Sequence, residues 1–232
     1  MSRRFRTQRP IRLSDIDATG RLRLDAVARY LQDAASDDWA DAGFESHAHV
    51  WVVRKTWIEV ESTFARDERV DLETWCSGIA GTSASRRYSL RGDAGGAIEA
   101  ESVWIHLDRS LRPLRLPEAF VDIYGASANG NGVATRFVLP APPPVDGEPW
   151  ALRATDIDRL GHVNNAVYWQ PVEERFGVDA QRVELEYRKP VDLTDDVRIV
   201  ADGDAMWLTV GREVRAALSI TRDRSRAAHP RR

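Results

Sequence analysis

The chain carries the same acidic motif twice, and this repeat constrains its fold more than any other sequence feature. Residues 12–20 read Arg-Leu-Ser-Asp-Ile-Asp-Ala-Thr-Gly, and residues 153–161 read Arg-Ala-Thr-Asp-Ile-Asp-Arg-Leu-Gly. The Arg, the Asp-Ile-Asp core and the Gly align at one offset, and a helix pattern follows each copy. Repetition of the motif and of the elements after it indicates a duplicated structural unit.

The first half is predicted to be one long helix followed by antiparallel strands. Apolar residues with i, i+3, i+4, i+7 spacing predict an amphipathic helix over 24–42 that ends near Gly43. Its water-facing side is expected to carry Asp25, Asp33, Asp37 and Asp41. Alternating or β-branched segments then predict strands at 50–61, 70–75, 84–90 and 97–107.

The second half repeats this order in a shorter form. We expect a helix over 164–176 that stops at Gly177, and then strands at 182–188, 197–201, 206–210 and 214–220. Gly, Asn and Pro residues predict a linker over 129–149, with a short strand candidate at 136–139. The expected organisation is an α+β chain with domains at 1–128 and 150–222 and a disordered basic tail at 223–232.

Composition excludes several classes of protein. The formal net charge of -3 over 232 residues gives no global basic excess that would indicate nucleic acid as a partner. Cys76 is the single cysteine, which excludes an internal disulfide and a zinc site built from several cysteines. The Arg-rich start is followed by no apolar segment of a secretory signal, and no run reaches the roughly 18 apolar residues of a membrane span. We therefore expect a cytoplasmic protein without membrane insertion.

The second copy of the motif extends into a longer signature. Residues 156–168 read Asp-Ile-Asp-Arg-Leu-Gly-His-Val-Asn-Asn-Ala-Val-Tyr, which resembles the signature of acyl-acyl-carrier-protein (acyl-ACP) thioesterases of the hot-dog superfamily. Residues 185–189 resemble the Leu-Glu-Tyr-Arg strand that follows in that family. The resemblance covers about residues 5 to 221 and implies two hot-dog domains in tandem, each an antiparallel sheet wrapped around one long helix. It also implies hydrolysis of a fatty acyl thioester on acyl carrier protein or CoA, without a cofactor.

Two departures from the plant members of that family concern the expected active site. Leu160 stands where those members carry Asn, two residues before the His. Pro190 and Val191 stand where they carry an acidic residue and a Cys. A mechanism with a Cys nucleophile therefore has no residue to use here, and Cys76 is expected to be structural.

The chemistry of thioester hydrolysis selects candidates within the second copy. The reaction needs an activated water and a site for the developing oxyanion. Asp158 is the candidate general base or nucleophile, and His162 is expected to hydrogen-bond the carbonyl, the water or the leaving sulfur. Asn164 is expected to cap the helix or to orient the water. Backbone N–H groups at the helix start, with Gly161 and Val163, are predicted to bind the oxyanion.

Three further residues are secondary candidates. Asp156 fits a loop-stabilising role as well as a catalytic one, and Asn165 fits a structural role better. Asp17 has the position of Asp158 in the first copy, but Arg21 and Arg23 follow it in place of the His-Val-Asn-Asn string. A neighbouring Arg would lower the basicity of Asp17, which therefore suits structure or docking better than catalysis.

A metal site is not expected. The acidic motif resembles the start of a calcium loop, but Thr19 and Leu160 occupy its fifth position, where a strong oxygen ligand is wanted. Apolar residues also stand at the twelfth position, which requires a bidentate Glu. His47 and His49 are interpreted as loop residues.

Two other functions fit parts of the sequence. A hot-dog hydratase or dehydratase also uses an Asp and a His, although its usual motif has a different spacing. A non-catalytic acyl-binding or carrier-binding protein would tolerate the departures at Leu160, Pro190 and Val191.

Because acyl carrier protein is acidic, an Arg surface is expected to dock it, with candidates at Arg86, Arg87, Arg112 and Arg115. A tandem chain contains its own pseudo-dimer, so a monomer and a homodimer are both compatible with the sequence.

Overall fold

The structure is a computed structural model that describes residues 2–44, 50–176 and 180–222. The chain forms two compact units; the first ends at Arg136 and the second begins at Phe137. No helix in the described part of the chain is long and apolar enough to cross a membrane. Three sequence predictions fall outside the described residues: the basic tail 223–232, the loop residues His47 and His49, and the helix stop at Gly177.

The first unit contains five antiparallel strands that are hydrogen-bonded in the order β1-β3-β4-β5-β2. All four predicted strands are confirmed, and the third strand of the chain is longer than expected. The N-terminal strand β1 was not predicted; it pairs with β3 at the edge of the sheet. The strands are β1 Phe5–Pro10, β2 Val50–Ser62, β3 Arg69–Ala80, β4 Ser83–Gly92 and β5 Ala97–Leu107.

Helix α1, Leu24–Asp41, confirms the predicted amphipathic helix. Its apolar stripe, which includes Val27 and Leu31, is buried, and the helix contacts β1 and β3. One of the predicted water-facing residues is wrong: Asp25 is 2% exposed. Arg29, one helical turn later, binds its carboxylate at 2.8 Å, which compensates the cost of burying the charge.

Helix α2, Glu118–Ala128, was not predicted. Pro117 precedes it, and its buried residues Phe120, Tyr124 and Ala128 recur every four positions and form one stripe. This stripe packs into a buried cluster with Cys76, bordered by aromatic residues of α1 and β2. The α2 helix thus packs on β3, which α1 also contacts.

The second unit contains five antiparallel strands that are hydrogen-bonded in the order β7-β10-β9-β8-β6. Its four predicted strands are confirmed, and the two-residue strand β6 was not predicted. The elements are β6 Glu148–Pro149, α3 Gln170–Phe176, β7 Ala180–Tyr187, β8 Val197–Asp202, β9 Ala205–Val210 and β10 Glu213–Arg222.

The predicted helix over 164–176 is wrong in its first half, since a 3-10 turn over Val167–Trp169 precedes the short helix α3. Pro171 has no N–H to donate to the carbonyl of Val167, so the α-helical hydrogen-bond ladder cannot extend back through this turn. Instead, the N–H of Gln170 donates to Val167. The second unit therefore lacks the long helix expected for it.

The strand candidate at 136–139 is also wrong, because this segment forms no strand. The buried carboxylate of Glu186 on β7 accepts hydrogen bonds from the N–H groups of Val138 and Leu139, at 2.6 and 3.3 Å. The indole of Trp207 donates to the carbonyl of Pro140 at 2.9 Å. Side chains of the sheet thus satisfy the backbone of this segment in place of a neighbouring strand.

Candidate active site

The two acidic motifs fold into the same loop. In the second copy, the N–H of Asp158 donates to the carbonyl of His162 at 2.9 Å, and the N–H of Gly161 donates to the carbonyl of Asp158 at 3.0 Å. The first copy repeats both bonds at Asp17 and Gly20, at 2.8 and 3.0 Å. Both glycines have φ of +84°, a conformation that other residues rarely adopt. The repeat seen in the sequence is therefore also a repeat of backbone geometry.

The first carboxylate of each motif closes the loop. Asp156 is 7% exposed, and its Oδ2 accepts a hydrogen bond from the N–H of Arg153 at 2.8 Å. Its carbonyl accepts the N–H of Asn164 at 2.8 Å. Asp15 makes the corresponding bonds in the first copy and also accepts one from Tyr30 at 2.7 Å. These contacts give Asp156 a structural role.

Asp158 keeps one carboxylate oxygen available. Its Oδ1 accepts a hydrogen bond from the N–H of Leu160 at 2.8 Å, which fixes the side chain in the loop. Its Oδ2 has no hydrogen-bond partner among the described residues, and the side chain is half-buried. A fixed carboxylate with one free oxygen can accept a proton from a bound water.

His162 pairs with a residue that sequence reasoning missed. Its Nδ1 lies 2.6 Å from Oδ1 of Asp192, which stands in the connection between β7 and β8. The N–H of Asp192 donates to Asp195 at 2.9 Å, which holds this connection in place. The two paired side chains are 42% and 55% exposed, so the pair lies at an open surface. Nε2 of His162 has no partner in the described part of the chain and remains free to contact a substrate.

The two amides predicted to bind the oxyanion are already occupied. The N–H of Gly161 donates to Asp158, and the N–H of Val163 donates to the carbonyl of Val191 at 2.8 Å. Neither is a free donor in this structure, which corrects the predicted oxyanion site. Asn164 offers an alternative: its Oδ1 accepts the N–H of Ala166 at 2.9 Å, and its Nδ2 has no partner within the described ranges.

Three aromatic residues, Tyr168, Trp169 and Tyr187, stabilise the second acidic loop. The carbonyl of Asn165 accepts a hydrogen bond from the Tyr187 hydroxyl at 3.0 Å, and that hydroxyl accepts one from the Trp169 indole at 2.9 Å. The ring of Tyr168 lies edge-on to Tyr187, with 5.3 Å between the centroids. Burial raises the pKa of Tyr168. The backbone carbonyl of Asn165 and the ring of Tyr168 thus hold the loop on the core.

The first copy has no free carboxylate oxygen at the corresponding place. Oδ1 of Asp17 accepts hydrogen bonds from the N–H and the hydroxyl of Thr19 at 2.8 and 2.7 Å. Its Oδ2 binds Nη2 of Arg21 at 2.8 Å. Burial alone would raise the pKa of Asp17, but the hydrogen bonds from Thr19 and Arg21 outweigh it and lower the pKa to about 2. Such a carboxylate is a weak base.

The first copy also lacks the His–Asp pair. The N–H of Leu22 donates to Phe64 at 3.2 Å, and this bond corresponds to the one from Val163 to Val191. Ala65 therefore occupies the position of Asp192, and an Arg occupies that of the His. The two loops share a backbone and both Asp residues, but the first loop has no counterpart of His162 and Asp192, and both carboxylate oxygens of Asp17 are bonded.

Within the described residues, the structure shows no cluster of metal-ligating side chains, and the thiol of Cys76 is buried. In residues 2–44, 50–176 and 180–222, no group of three His, Cys, Asp or Glu side chains is placed to hold a metal ion. Cys76 is 2% exposed in the first unit, and burial raises its pKa to about 11. It is therefore protonated at neutral pH and packs as a small core residue.

Comparison with known protein families gives two matches along the chain. The model of the acyl-ACP thioesterase N-terminal domain matches residues 2–124, and the model of the C-terminal domain of the same family matches residues 146–228. Two uncharacterised proteins of Mycobacterium tuberculosis, from strains CDC 1551 and H37Rv, are each 35% identical over 222 residues. That alignment covers 90% of this chain and 88% of each relative.

Solved structures with the same fold include two thioesterases. An acyl-ACP thioesterase from Bacteroides thetaiotaomicron superposes with a TM-score of 0.82 at 18% identity, over 94% of this chain and 96% of the other. A 12:0-ACP thioesterase from Umbellularia californica superposes with a TM-score of 0.74 at 19% identity, over 94% and 96% of the two chains. These similarities confirm the fold class predicted from the sequence, a tandem hot-dog.

Proposed function

Because the chain belongs to the acyl-ACP thioesterase family and is a hydrolase of fatty acyl thioesters, we propose that its substrate is a fatty acyl-ACP and that Asp158, His162 and Asp192 form its catalytic centre. The observation that carries this proposal is the His162–Asp192 pair at 2.6 Å, on the same loop as a carboxylate with a free oxygen. The first copy of the loop has neither feature.

In the proposed reaction, Asp158 is the general base. Its free Oδ2 takes a proton from water while the water oxygen adds to the thioester carbonyl carbon. The tetrahedral intermediate then collapses, the carbon–sulfur bond breaks, and the carrier leaves as a thiolate. The thiolate finally receives the proton that Asp158 took, through Nε2 of His162. The products are a fatty acid and the carrier thiol, and the enzyme returns to its starting state.

Asp192 is proposed as the positioning residue for His162. A carboxylate at Nδ1 selects the tautomer with a proton on Nδ1 and directs Nε2 toward the substrate. It also stabilises the positive charge on the ring when Nε2 carries a proton. Asp192 thus supplies a carboxylate close to where plant members carry an acidic residue, although the position matched in sequence is Pro190.

Asn164 is the proposed donor to the oxyanion. Its Oδ1 is held by a backbone N–H, so its Nδ2 has a fixed direction and no competing partner in the described chain. A fixed donor aimed at the carbonyl oxygen stabilises the charge that develops in the transition state. His162 is the second polar contact, since the amides of Gly161 and Val163 are occupied.

A macromolecular carrier suits this site better than a small one. The His162 and Asp192 side chains are 42% and 55% exposed, so a thioester at the end of a protein-bound arm can reach them. An acidic carrier protein also needs a basic surface. In the first unit, Arg112 and Arg115 are exposed and have no ion-pair partner among the described residues.

The four docking candidates from the sequence are not equivalent. Arg86 is wrong as a docking residue, because it is 8% exposed and its Nη1 binds Asp38 at 2.6 Å. Arg87 is partly exposed but lies over the ring of Trp57 and 3.6 Å from Glu101. Docking is therefore proposed for Arg112 and Arg115.

Release of free thiol from acyl-ACP and from acyl-CoA with the same acyl chain tests this proposal. We expect turnover of acyl-ACP, with a KM that rises with salt because screening weakens the charge contacts. The double substitution Arg112→Ala and Arg115→Ala should raise the KM for acyl-ACP several-fold with little change in kcat. Arg66→Ala, which removes another exposed Arg of the first unit, serves as the control.

Each alternative gives a different result in this assay. Absence of thiol release from either carrier would support a binding protein. Addition of water to an enoyl thioester without thiol release would support a hydratase. A salt-independent KM with faster turnover of acyl-CoA would exclude acyl-ACP as the preferred substrate.

A further inference from the structure

The turn that carries Asp192 is closed by a second carboxylate. The N–H of Asp195 donates to the carbonyl of Asp192 at 3.0 Å, and the N–H of Asp192 donates to Oδ2 of Asp195 at 2.9 Å. These two bonds fix the backbone from which the Asp192 carboxylate reaches Nδ1 of His162. The placement of that carboxylate therefore depends on the side chain of Asp195.

The first unit contains a matching turn without a catalytic pair. The N–H of Ala65 donates to Oε2 of Glu68 at 2.8 Å, and the N–H of Glu68 donates to the carbonyl of Ala65 at 3.4 Å. Ala65 has the place of Asp192, and Glu68 has that of Asp195. A carboxylate that closes this turn is thus common to both copies and does not by itself indicate a role in catalysis.

The partners of the two closing carboxylates differ. Oε1 of Glu68 accepts hydrogen bonds from the backbone N–H groups of Gly96 and Ala94, at 2.9 and 3.2 Å. Oδ2 of Asp195 instead lies 3.7 Å from Nη2 of Arg215, which is too long for a hydrogen bond but close enough for an ion pair. The Arg215 and Asp195 side chains are 19% and 18% exposed, so solvent screens this contact only in part.

Arg215 stands at an irregular position of its strand. The pairing of β10 with β9 shifts between Val214 and Ala216, which makes Arg215 the extra residue of a β-bulge. Its carbonyl accepts the N–H groups of Arg188 and Lys189, at 2.8 and 3.0 Å. Bulges near active sites redirect a side chain. Here the bulged residue holds the start of the connection between β7 and β8 through its backbone and contacts the turn in that connection through its side chain.

The guanidinium of Arg215 also lies near the second acidic loop. Its Nη1 is 3.1 Å from the carboxylate of Glu213, and its Nη2 faces Asp195. Burial raises the pKa of the Tyr168 hydroxyl, and Arg215, Asp195 and Asp158 are all close enough to act on that pKa as well. The ion pair is therefore close to the loop that carries the proposed general base.

We propose that Arg215 and Asp195 are positioning residues for the proposed catalytic pair. The cation of Arg215 holds the Asp195 carboxylate, and that carboxylate holds the N–H of Asp192. Asp192 in turn keeps His162 in the tautomer with its proton on Nδ1. The inference rests on the proposed function and adds two residues to it that do not touch the substrate.

The tautomer of His162 tests the inference without turnover. In spectra of protein with isotope-labelled histidine, the ring nitrogen shifts of a neutral His distinguish a proton on Nδ1 from one on Nε2, and His162→Gln identifies the signals. We expect the Nδ1 tautomer in the native chain and a mixture of both in Asp195→Ala and Arg215→Gln. Arg215→Lys, which keeps the charge, should retain more of the native tautomer than Arg215→Gln. Native His162 signals in both Asp195→Ala and Arg215→Gln would overturn the inference.

The matched control is Glu68→Ala, which removes the corresponding carboxylate from the turn of the first unit. This variant should lower Tm, because Glu68 is 5% exposed and accepts several backbone hydrogen bonds, but it should leave the His162 signals unchanged. Arg215→Gln leaves both hydrogen bonds of the Asp192 turn in place, so it provides the test where Asp195→Ala does not fold. A tautomer change in Glu68→Ala equal to that in Asp195→Ala would reflect general loosening and would also overturn the inference.

Thiol release from acyl-ACP gives the second test. We expect Arg215→Gln and Asp195→Ala each to lower kcat about tenfold, the low end of the effect of losing an orienting partner, with KM within about twofold. In an Asp192→Asn background, Arg215→Gln should lower kcat less than about twofold further, because residues that act through one contact are not additive. A full additional loss in that double variant would show that Arg215 does not act through Asp192 and would contradict the proposal.

The two measurements separate the possible failures. If acyl-ACP and acyl-CoA release no thiol, the proposed function fails, and the tautomer of His162 still decides whether Arg215 and Asp195 position the pair. If thiol is released but kcat and the His162 signals are native in both variants, the proposed function stands and the positioning role is refuted.

Discussion

Replacement of Asp192 by Asn tests the proposed positioning of His162. The carboxamide keeps the size of the side chain, but it can present an N–H group to Nδ1 and so favour the wrong tautomer of the ring. The pair is short, at 2.6 Å, but its side chains are 42% and 55% exposed. An exposed ion pair contributes about 0–1 kcal/mol to folding, so the variant should remain folded. Loss of an orienting partner should nevertheless lower kcat by about 10- to 100-fold.

The assay for this variant is the pH profile of kcat for thiol release from acyl-ACP. A positioning role predicts a lower plateau together with a shift of the limb that reports His162, whereas a purely structural role would change neither. Asp196→Asn is the matched control: it changes a nearby, 74% exposed carboxylate that pairs with Arg198, and kcat should stay within about twofold. An Asp192→Asn enzyme with native kcat and a native pH profile would refute the proposed role.

Three further predictions concern the rest of the chain. Cys76→Ser should leave kcat within about threefold, because its buried thiol takes no part in the chemistry; a hundredfold loss in a folded variant would reveal a thiol mechanism. Asp17→Asn should lower the free energy of unfolding by about 1 kcal/mol at pH 7, since a pKa depressed to about 2 stabilises the fold above pH ~4. This difference from the native chain should shrink as pH falls from 4 toward 2. Denaturant unfolding at each pH measures the difference, and a difference that stays constant would contradict this prediction. Glu186→Gln should lower the free energy of unfolding by about 2 kcal/mol or more, because Glu186 is 0% exposed and binds Arg188 at 2.7 Å; an unchanged denaturation midpoint would count against the buried pair.

Periodic elements could be predicted from the sequence, because their signal is local. The apolar stripe of α1, with Val27 and Leu31, and the alternation in the strands confirm this. The same kind of signal was present in α2, where Phe120, Tyr124 and Ala128 recur every four residues, but no helix was predicted there. The helix around Tyr168 was predicted too long, because one missing N–H at Pro171 stops the helical ladder.

The candidate site shows what a local signal cannot provide. Asp158 and His162 could be selected from the motif, and the loop conformation follows from Gly161. Asp192 is 30 residues from His162 in sequence, and nothing local distinguishes it from Asp195. Only the pairing of the second loop with the connection after β7 brings the two side chains together.

The occupied amides have a similar explanation. The sequence predicted a helix N-terminus with free N–H groups at Gly161 and Val163. In the fold, the acidic loop bonds back on itself and to Val191, so these groups are used before the helix begins. The availability of a backbone donor depends on its tertiary partners, which the motif alone does not specify.

The central claim is that the second acidic loop catalyses hydrolysis and the first does not. Its most direct test is kcat of Asp158→Asn and of Asp17→Asn on one acyl-ACP substrate, with folding of both variants checked by circular dichroism. We predict that Asp158→Asn lowers kcat at least about a hundredfold, the scale for loss of a general base, and that Asp17→Asn lowers it less than about tenfold. An inactive Asp17→Asn together with an active Asp158→Asn would contradict the account and place the active site in the first loop.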